Sequence, residues 1–113
     1  MRKRITKVIT FMLAAVLTAR AGRITFNEHF ETYYNLNMAR IVERADAFYG
    51  LSDVYSVRED GVKTYNGFVI CAADWNVHPF GSVVETSRGL GIVLDTGAFT
   101  KKEPQTVDIA ADW

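Results

Sequence analysis

The chain has 113 residues, which is the length of one small domain. Its 13 Lys and Arg residues balance its 13 Asp and Glu residues, so the whole sequence has no surplus of basic charge. The single cysteine, Cys71, excludes an internal disulfide.

Residues 1–21 differ in composition from the rest of the chain. A basic head at residues 2–4 precedes an apolar run over residues 8–17, and Ala19 and Ala21 supply small residues for a cleavage site. This order is typical of a secretory signal peptide. The apolar run is about half of the ~20 residues that a membrane-spanning helix needs. We therefore expect residues 1–21 to be removed on export and residues 22–113 to form a domain that is secreted to the cell wall without a stable membrane anchor.

Removal of the signal peptide would change the charge of the domain. Five of the 13 basic residues lie within residues 1–21 and none of the 13 acidic ones does, which leaves eight basic and 13 acidic groups and a formal charge of −5. Contacts with nucleic-acid phosphates require clustered Lys and Arg. A nucleic-acid partner is therefore not expected.

The first predicted elements are a strand and a helix. Aromatic and β-branched residues favour a strand over residues 30–36. Apolar residues then recur at intervals of three and four over residues 38–49, which predicts an α-helix. Asn37 suits the start of this helix and Gly50 its C-terminal cap. We expect the helix to pack against the rest of the domain.

The sequence after Gly50 predicts short strands separated by turns. Asp60-Gly61 and Asn66-Gly67 are typical hairpin turns. Cys71 lies in a continuous apolar run, so we expect a buried hydrophobic residue rather than a nucleophile. Evenly spaced short strands are typical of a small barrel or sandwich. The predicted strands cover residues 54–57, 62–65, 68–73, 82–86, 90–94 and 106–110.

Three aspartates, Asp74, Asp95 and Asp108, lie at or near the ends of predicted strands. The local sequence Asp95-Thr96-Gly97 is also the signature of retroviral-type aspartic proteases, in which two such aspartates share a proton. Only 16 residues follow Gly97, however, and that fold needs a longer segment for its flap. The protease is therefore a disfavoured interpretation.

The wider pattern is more specific. It consists of Ala72-Ala73-Asp74, then Pro79-x-Gly81, then Val93-Leu94-Asp95-Thr96-Gly97, and finally Val107-Asp108-Ile109. This order resembles the three-aspartate domain family, which includes the stationary-phase survival proteins of Firmicutes and is similar to the catalytic barrel of membrane-bound lytic murein transglycosylase A. The resemblance covers roughly residues 31–113. It implies a small six-stranded double-psi β-barrel with one packed helix at about 38–49.

The resemblance also implies a function. Enzymes of this kind cleave the β-1,4 bond between N-acetylmuramic acid and N-acetylglucosamine in peptidoglycan and leave a 1,6-anhydro ring. One carboxylic acid acts as both general acid and general base, so its pKa must be raised by burial or by a neighbouring carboxylate. The resemblance implies no cofactor and no metal, and the expected partners are the glycan strands of peptidoglycan.

The resemblance assigns roles to individual residues. Asp108, in the last strand, would be the catalytic acid and base, and Asp95 its neighbour that raises the pKa or orients the substrate. Asp74 would be a supporting or structural member, because aspartates beside turns commonly bind backbone amides. Expected substrate-binding residues are Thr32, Tyr34, Thr96, Gly97 and Lys101.

The alternative from another class is a non-catalytic barrel that binds cell-wall glycans, with the aspartates accepting hydrogen bonds from sugar hydroxyls. The loop over residues 100–105 departs from the family pattern, since it is longer and lacks glycine. The sequence leaves both interpretations open.

Overall fold

Residues 24–27 and 29–113 are described by the computed structural model, and they form eight strands, one α-helix and a short 3-10 helix. A mainly β fold with one packed helix is thus confirmed, although this part of the chain has eight strands rather than six. The signal peptide expected at residues 1–21 lies outside the described residues. The strands are β1 Ile24–Phe26, β2 His29–Tyr34, β3 Tyr55–Val57, β4 Lys63–Tyr65, β5 Phe68–Ala72, β6 Val83–Thr86, β7 Gly89–Asp95 and β8 Val107–Ala110.

Helix α1 spans Ala39–Tyr49 and covers one face of the sheet. Asn37 accepts a hydrogen bond from the backbone N–H of Ala39 at 2.9 Å, which supports the first turn. Gly50 ends the helix in the left-handed conformation, with φ of +69°, and this conformation favours glycine. Ile41 and Ala45, four residues apart, are its buried residues. Among the described residues, no helix has the length and apolarity needed to cross a membrane.

Strand β5 lies at the centre of the sheet. Along one edge it pairs in parallel with β7, and along the other it pairs antiparallel with β4 and then with β8. Strand β8 pairs in parallel with β2, and β1 pairs antiparallel with the far edge of β2. Strand β6 flanks β7, and β3 flanks β4. The two parallel pairs bring sequence-distant strand ends together at β5 and β8.

The alternation of side chains along the strands produces two hydrophobic clusters, one on each face. On β5, Ile70 belongs to the cluster that contacts α1, whereas Val69 and Cys71 belong to the other. Burial raises the pKa of the Cys71 thiol, and the charge of Glu31 adds to this effect. Cys71 is therefore the buried hydrophobic residue that was expected.

The residues after β8 continue its pairing. Ala111 forms a β-bridge with Val62, and the Asp112 N–H donates to the carbonyl of Gly61 at 2.9 Å. The indole N–H of Trp113 donates to the carbonyl of Asp60 at 2.6 Å. The C-terminal residues thereby tie β8 to the turn that precedes β4.

Close packing between β5 and β7 requires a glycine at position 91. A Cβ atom there would lie 2.6 Å from the Sγ atom of Cys71 and 3.2 Å from the carbonyl oxygen of Val69. We expect Gly91→Ala to lower the free energy of unfolding by about 1–3 kcal/mol, the usual cost of overpacking a core. Chemical denaturation would measure the loss.

A double variant tests whether this contact is the cause. Because Cys71→Ala removes the nearest atom, Gly91→Ala should cost less in that background than in the wild-type chain. Equal costs in the two backgrounds would contradict the proposed contact.

Candidate active site

The strand register brings two of the three aspartates to the same residue. Ala72 of β5 pairs with Asp95 of β7 on one side and with Asp108 of β8 on the other, and Asp108 in turn pairs with Thr32 of β2. Paired residues project from the same face of a sheet. The two carboxylates therefore lie on either side of the small side chain of Ala72.

A β-bulge gives Asp95 its position. Cys71 pairs with Val93, but the next residue, Ala72, pairs with Asp95, so Leu94 is the additional residue of β7. In a regular ladder Leu94 would be the partner of Ala72, and Asp95 would project to the opposite face. The bulge changes the face of Asp95, which lies on the same side as Asp108. Leu94 stays fully buried in the cluster under α1. Bulges commonly serve this purpose beside active sites.

Two hydroxyl groups of β2 bind the two carboxylates. Thr32 donates from its Oγ1 to Oδ1 of Asp108 at 2.7 Å, and Tyr34 donates from its hydroxyl to Oδ2 of Asp95 at 3.0 Å. Thr32 and Tyr34 are two residues apart on one strand and so share a face. The other oxygen of Asp95, Oδ1, accepts the backbone N–H of Thr96 at 2.8 Å. Each aspartate thus has a fixed hydrogen-bond donor.

The environment favours the protonated form of Asp108. Burial raises the pKa of Asp108 above its ordinary value, the hydrogen bond from Thr32 acts in the opposite direction, and the charge of Asp95 raises the pKa further. Burial also raises the pKa of Tyr34, with smaller contributions from Asp95 and Asp108. Tyr34 therefore remains a hydrogen-bond donor throughout the neutral range, and Asp108 is suited to hold a proton.

Asp74 has a different environment. Its Oδ1 accepts the backbone N–H of Asn76 at 2.9 Å, and its carbonyl accepts the N–H groups of Val77 and His78. In the described part of the chain, no side-chain hydrogen bond joins Asp74 to Asp95 or Asp108, and the charge that raises the pKa of Asp108 is that of Asp95. The side chain stabilises the turn after β5, as aspartates in such turns often do.

The remaining predicted site residues follow β7. Thr96 is exposed and reaches Asp95 through its backbone N–H. Gly97 precedes the 3-10 helix Ala98–Lys101, and its carbonyl accepts hydrogen bonds from the backbone and hydroxyl of Thr100. Lys101 is exposed at the end of that helix. Thr32 and Tyr34 contact the aspartates directly, whereas Gly97 and Lys101 lie in the adjoining loop.

A row of aromatic rings beside Asp95 was not predicted. The indole N–H of Trp75 donates to the Asp95 carbonyl at 3.0 Å, and its ring lies 5.6 Å from that of Phe80. Phe80 lies 5.2 Å from Phe48 of α1, which is 67% exposed. The guanidinium of Arg44 lies 5.9 Å from the Trp75 ring. Trp75 and Phe80, in the loop that contains Pro79, are a sequence signal for such a surface. Phe48 is far from them in sequence, so the row could not be recognised without the fold.

No group of three or more His, Cys, Asp or Glu side chains suited to a metal ion occurs within residues 24–27 and 29–113. Comparison of the chain with protein-family models, with curated proteins and with solved structures finds no match.

The raised pKa of Asp108 predicts a dependence of stability on pH. A carboxyl group whose pKa is raised by folding binds its proton more tightly in the folded state, so its contribution to the free energy of unfolding falls as pH rises through that pKa. Asp108→Asn removes this loss and keeps an acceptor for Thr32. We expect the variant to be more stable than the wild type at neutral pH, and the difference to vanish below the ordinary pKa of 3.8.

Thermal unfolding of both chains across the acid to neutral range measures this difference. A variant that is less stable than the wild type at neutral pH would contradict the argument, because Asp108 would then contribute favourable interactions as a carboxylate.

Proposed function

We propose that this protein is a peptidoglycan lytic transglycosylase that cleaves the bond between N-acetylmuramic acid and N-acetylglucosamine. The observation that carries the proposal is the pair formed by Asp108 and Asp95 across Ala72. Asp108 is partly buried and has a raised pKa, yet it is not sealed from solvent. A carboxylic acid whose pKa is raised by burial and by a neighbouring carboxylate is a suitable general acid.

In the proposed reaction Asp108 acts twice. Its protonated carboxyl group donates to the glycosidic oxygen as the C1–O bond breaks. The resulting carboxylate then removes the proton from the C6 hydroxyl, whose oxygen bonds to C1 and closes the 1,6-anhydro ring. Asp108 is thereby protonated again, and no water is consumed. A single acid and base is sufficient, in contrast to the two carboxylates of most glycoside hydrolases.

The other residues of the site support this group. Thr32 holds the carboxyl of Asp108 through Oδ1 and leaves its second oxygen for the substrate. The negative charge of Asp95 favours the protonated form of Asp108 and would stabilise the positive charge that develops at C1. Tyr34 fixes the carboxylate of Asp95. The glycan strand would lie across this face of the sheet.

We further propose that the sheet closes as a double-psi β-barrel. Two parallel pairs, β2 with β8 and β5 with β7, support this topology, because they are joined through the antiparallel pair β5 and β8. The residues after β8 that return to the turn before β4 also favour closure. For this function the protein would be secreted and would act at the cell wall.

A glycan-binding protein without catalytic activity is the second candidate. The observation that favours it is the aromatic row Trp75, Phe80 and Phe48, in which Phe48 is exposed and the other two rings are partly buried. Sugar rings stack on the accessible faces of such aromatic rings. The same row would serve an enzyme as a subsite for a neighbouring sugar. The aspartic protease is not proposed, because it needs two Asp-Thr-Gly aspartates that share a proton. Asp95 instead accepts a hydrogen bond from Tyr34 of its own chain, and its acidic neighbour is Asp108.

The test is digestion of purified peptidoglycan by the purified chain, followed by mass spectrometry of the soluble products. The enzyme should release muropeptides that end in 1,6-anhydro-N-acetylmuramic acid. Binding to glycan strands without any released product would favour the second candidate and contradict the first.

A further inference from the structure

A cavity separate from the aspartate pair lies where the start of α1 meets strands β3 and β4. Its volume is about 450 Å³, within the usual range for small-ligand sites. The lining residues are Asn37, Met38, Ala39, Val42, Tyr55 and Lys63.

Lys63 gives this cavity its charge. The residue is only 6% exposed, and its ammonium group donates to Oδ1 of Asn35 and to the carbonyl of Leu36, each at 2.8 Å. Both acceptors are neutral. Ion pairs within the described residues are formed by His29, Arg58 and Arg88 and do not include Lys63. A buried ammonium without a counter-ion is unfavourable, and its two hydrogen bonds leave the third N–H without an acceptor among the described residues.

The start of α1 adds to the positive potential. The neutral side chain of Asn37 accepts the N–H of Ala39, but Met38 makes no capping hydrogen bond through its side chain, and the first turn contains no acidic residue. The N-terminal end of a helix carries a partial positive charge. The charge of Asp112 acts on Tyr55 of the lining, but it raises the pKa of Tyr55 less than burial does, and Asp112 is itself exposed. The cavity thus presents two positive features to a ligand.

We propose that this cavity binds a carboxylate group of the peptide stem of peptidoglycan. The inference rests on the proposed function, because the stem is attached to the muramic acid at the aspartate pair. Asn35 and Leu36, which bind Lys63, directly follow Tyr34, which binds Asp95. One short segment therefore connects the two sites. A single ammonium group suits a carboxylate with one negative charge, whereas phosphate sites commonly use several donors in fixed arrangements.

Titration calorimetry with uncleavable product fragments tests the site. The probes are anhydro-disaccharides with and without a peptide stem, and inorganic phosphate. We expect the stem to strengthen binding to the wild-type chain about tenfold or more, the effect of one charged hydrogen bond. Lys63→Met should abolish the increment. Ala39→Leu should also abolish it, by filling the cavity from an exposed helix position without changing Lys63.

Ala47→Leu, at another exposed position of α1, is the matched control and should keep the full increment. Since Lys63→Met could impair folding, Ala39→Leu carries the test in that case. Equal affinity for the two disaccharides, or an unchanged increment in Ala39→Leu, would overturn the proposal. Competition by phosphate without any effect of the stem would identify a phosphate site and overturn it as well.

The outcome can be separated from that of the proposed function. If the chain makes anhydro products but the stem has no effect on binding, the carboxylate site alone is wrong. If the stem strengthens binding but no anhydro product forms, the carboxylate site stands and the catalytic proposal fails.

Discussion

Replacement of Asp108 by asparagine is expected to reduce the release of anhydro-muropeptides by about 10²- to 10⁴-fold, the usual contribution of a general acid or base. Asparagine has nearly the same shape and still accepts the hydrogen bond from Thr32 Oγ1, but it cannot donate a proton to the leaving oxygen. The loss should appear in the rate of product release from purified peptidoglycan, at substrate concentrations above and below saturation.

Asp74→Asn is the matched control for this variant. Asparagine can still accept the N–H of Asn76 that Asp74 binds, so the turn should remain and most of the activity with it. If Asp74→Asn abolished product release while Asp108→Asn retained it, the assignment of the catalytic acid would be wrong.

The second large effect is expected at Leu94, the additional residue of the bulge that precedes Asp95. Its side chain is fully buried in the hydrophobic cluster that also contains Ile70 and Ile92. We expect Leu94→Ala to lower the free energy of unfolding by about 2–5 kcal/mol, the usual cost of such a truncation with the cavity it leaves. Denaturant titration followed by tryptophan fluorescence would measure it.

Leu90 offers a control on the same strand, because it is 50% exposed. Leu90→Ala should change the free energy of unfolding by no more than about 0.5 kcal/mol. If both truncations had the same small effect, Leu94 would not anchor the bulge, and the position of Asp95 would need another explanation.

The sequence predicted the features that depend on local patterns. The spacing of Ile41 and Ala45 identified the helix, and Gly50 identified its end, because both follow from the geometry of one helix. The Asn66-Gly67 turn was also predicted from its residues, and both residues have the positive φ that such a hairpin turn requires.

The sequence did not predict the features that depend on strand pairing over long separations. Strand β1 has three residues at the edge of the sheet, too few for a periodic signal. The bulge at Leu94 is also absent from the pattern, since Val93, Leu94 and their neighbours form a continuous apolar run. Without it the face on which Asp95 lies could not be deduced, because one residue of register reverses every side chain.

The candidate site illustrates the same limit. The order of the three aspartates along the chain carried the family resemblance, but order does not specify distance. The structure joins Asp95 and Asp108 through Ala72 and engages Asp74 in its own turn. The bond between Tyr34 and Asp95 connects residues 61 positions apart, so only the fold could reveal it.

The most direct test of the central proposal is digestion of purified glycan strands in water labelled with heavy oxygen, with mass spectrometry of the new chain ends. Asp108 is proposed to remove the proton of the C6 hydroxyl, so that the C6 oxygen rather than a water molecule bonds to C1. The wild-type chain should therefore give 1,6-anhydro ends without the label, and Asp108→Asn should give almost none. Labelled reducing ends would identify a hydrolase and contradict the proposal.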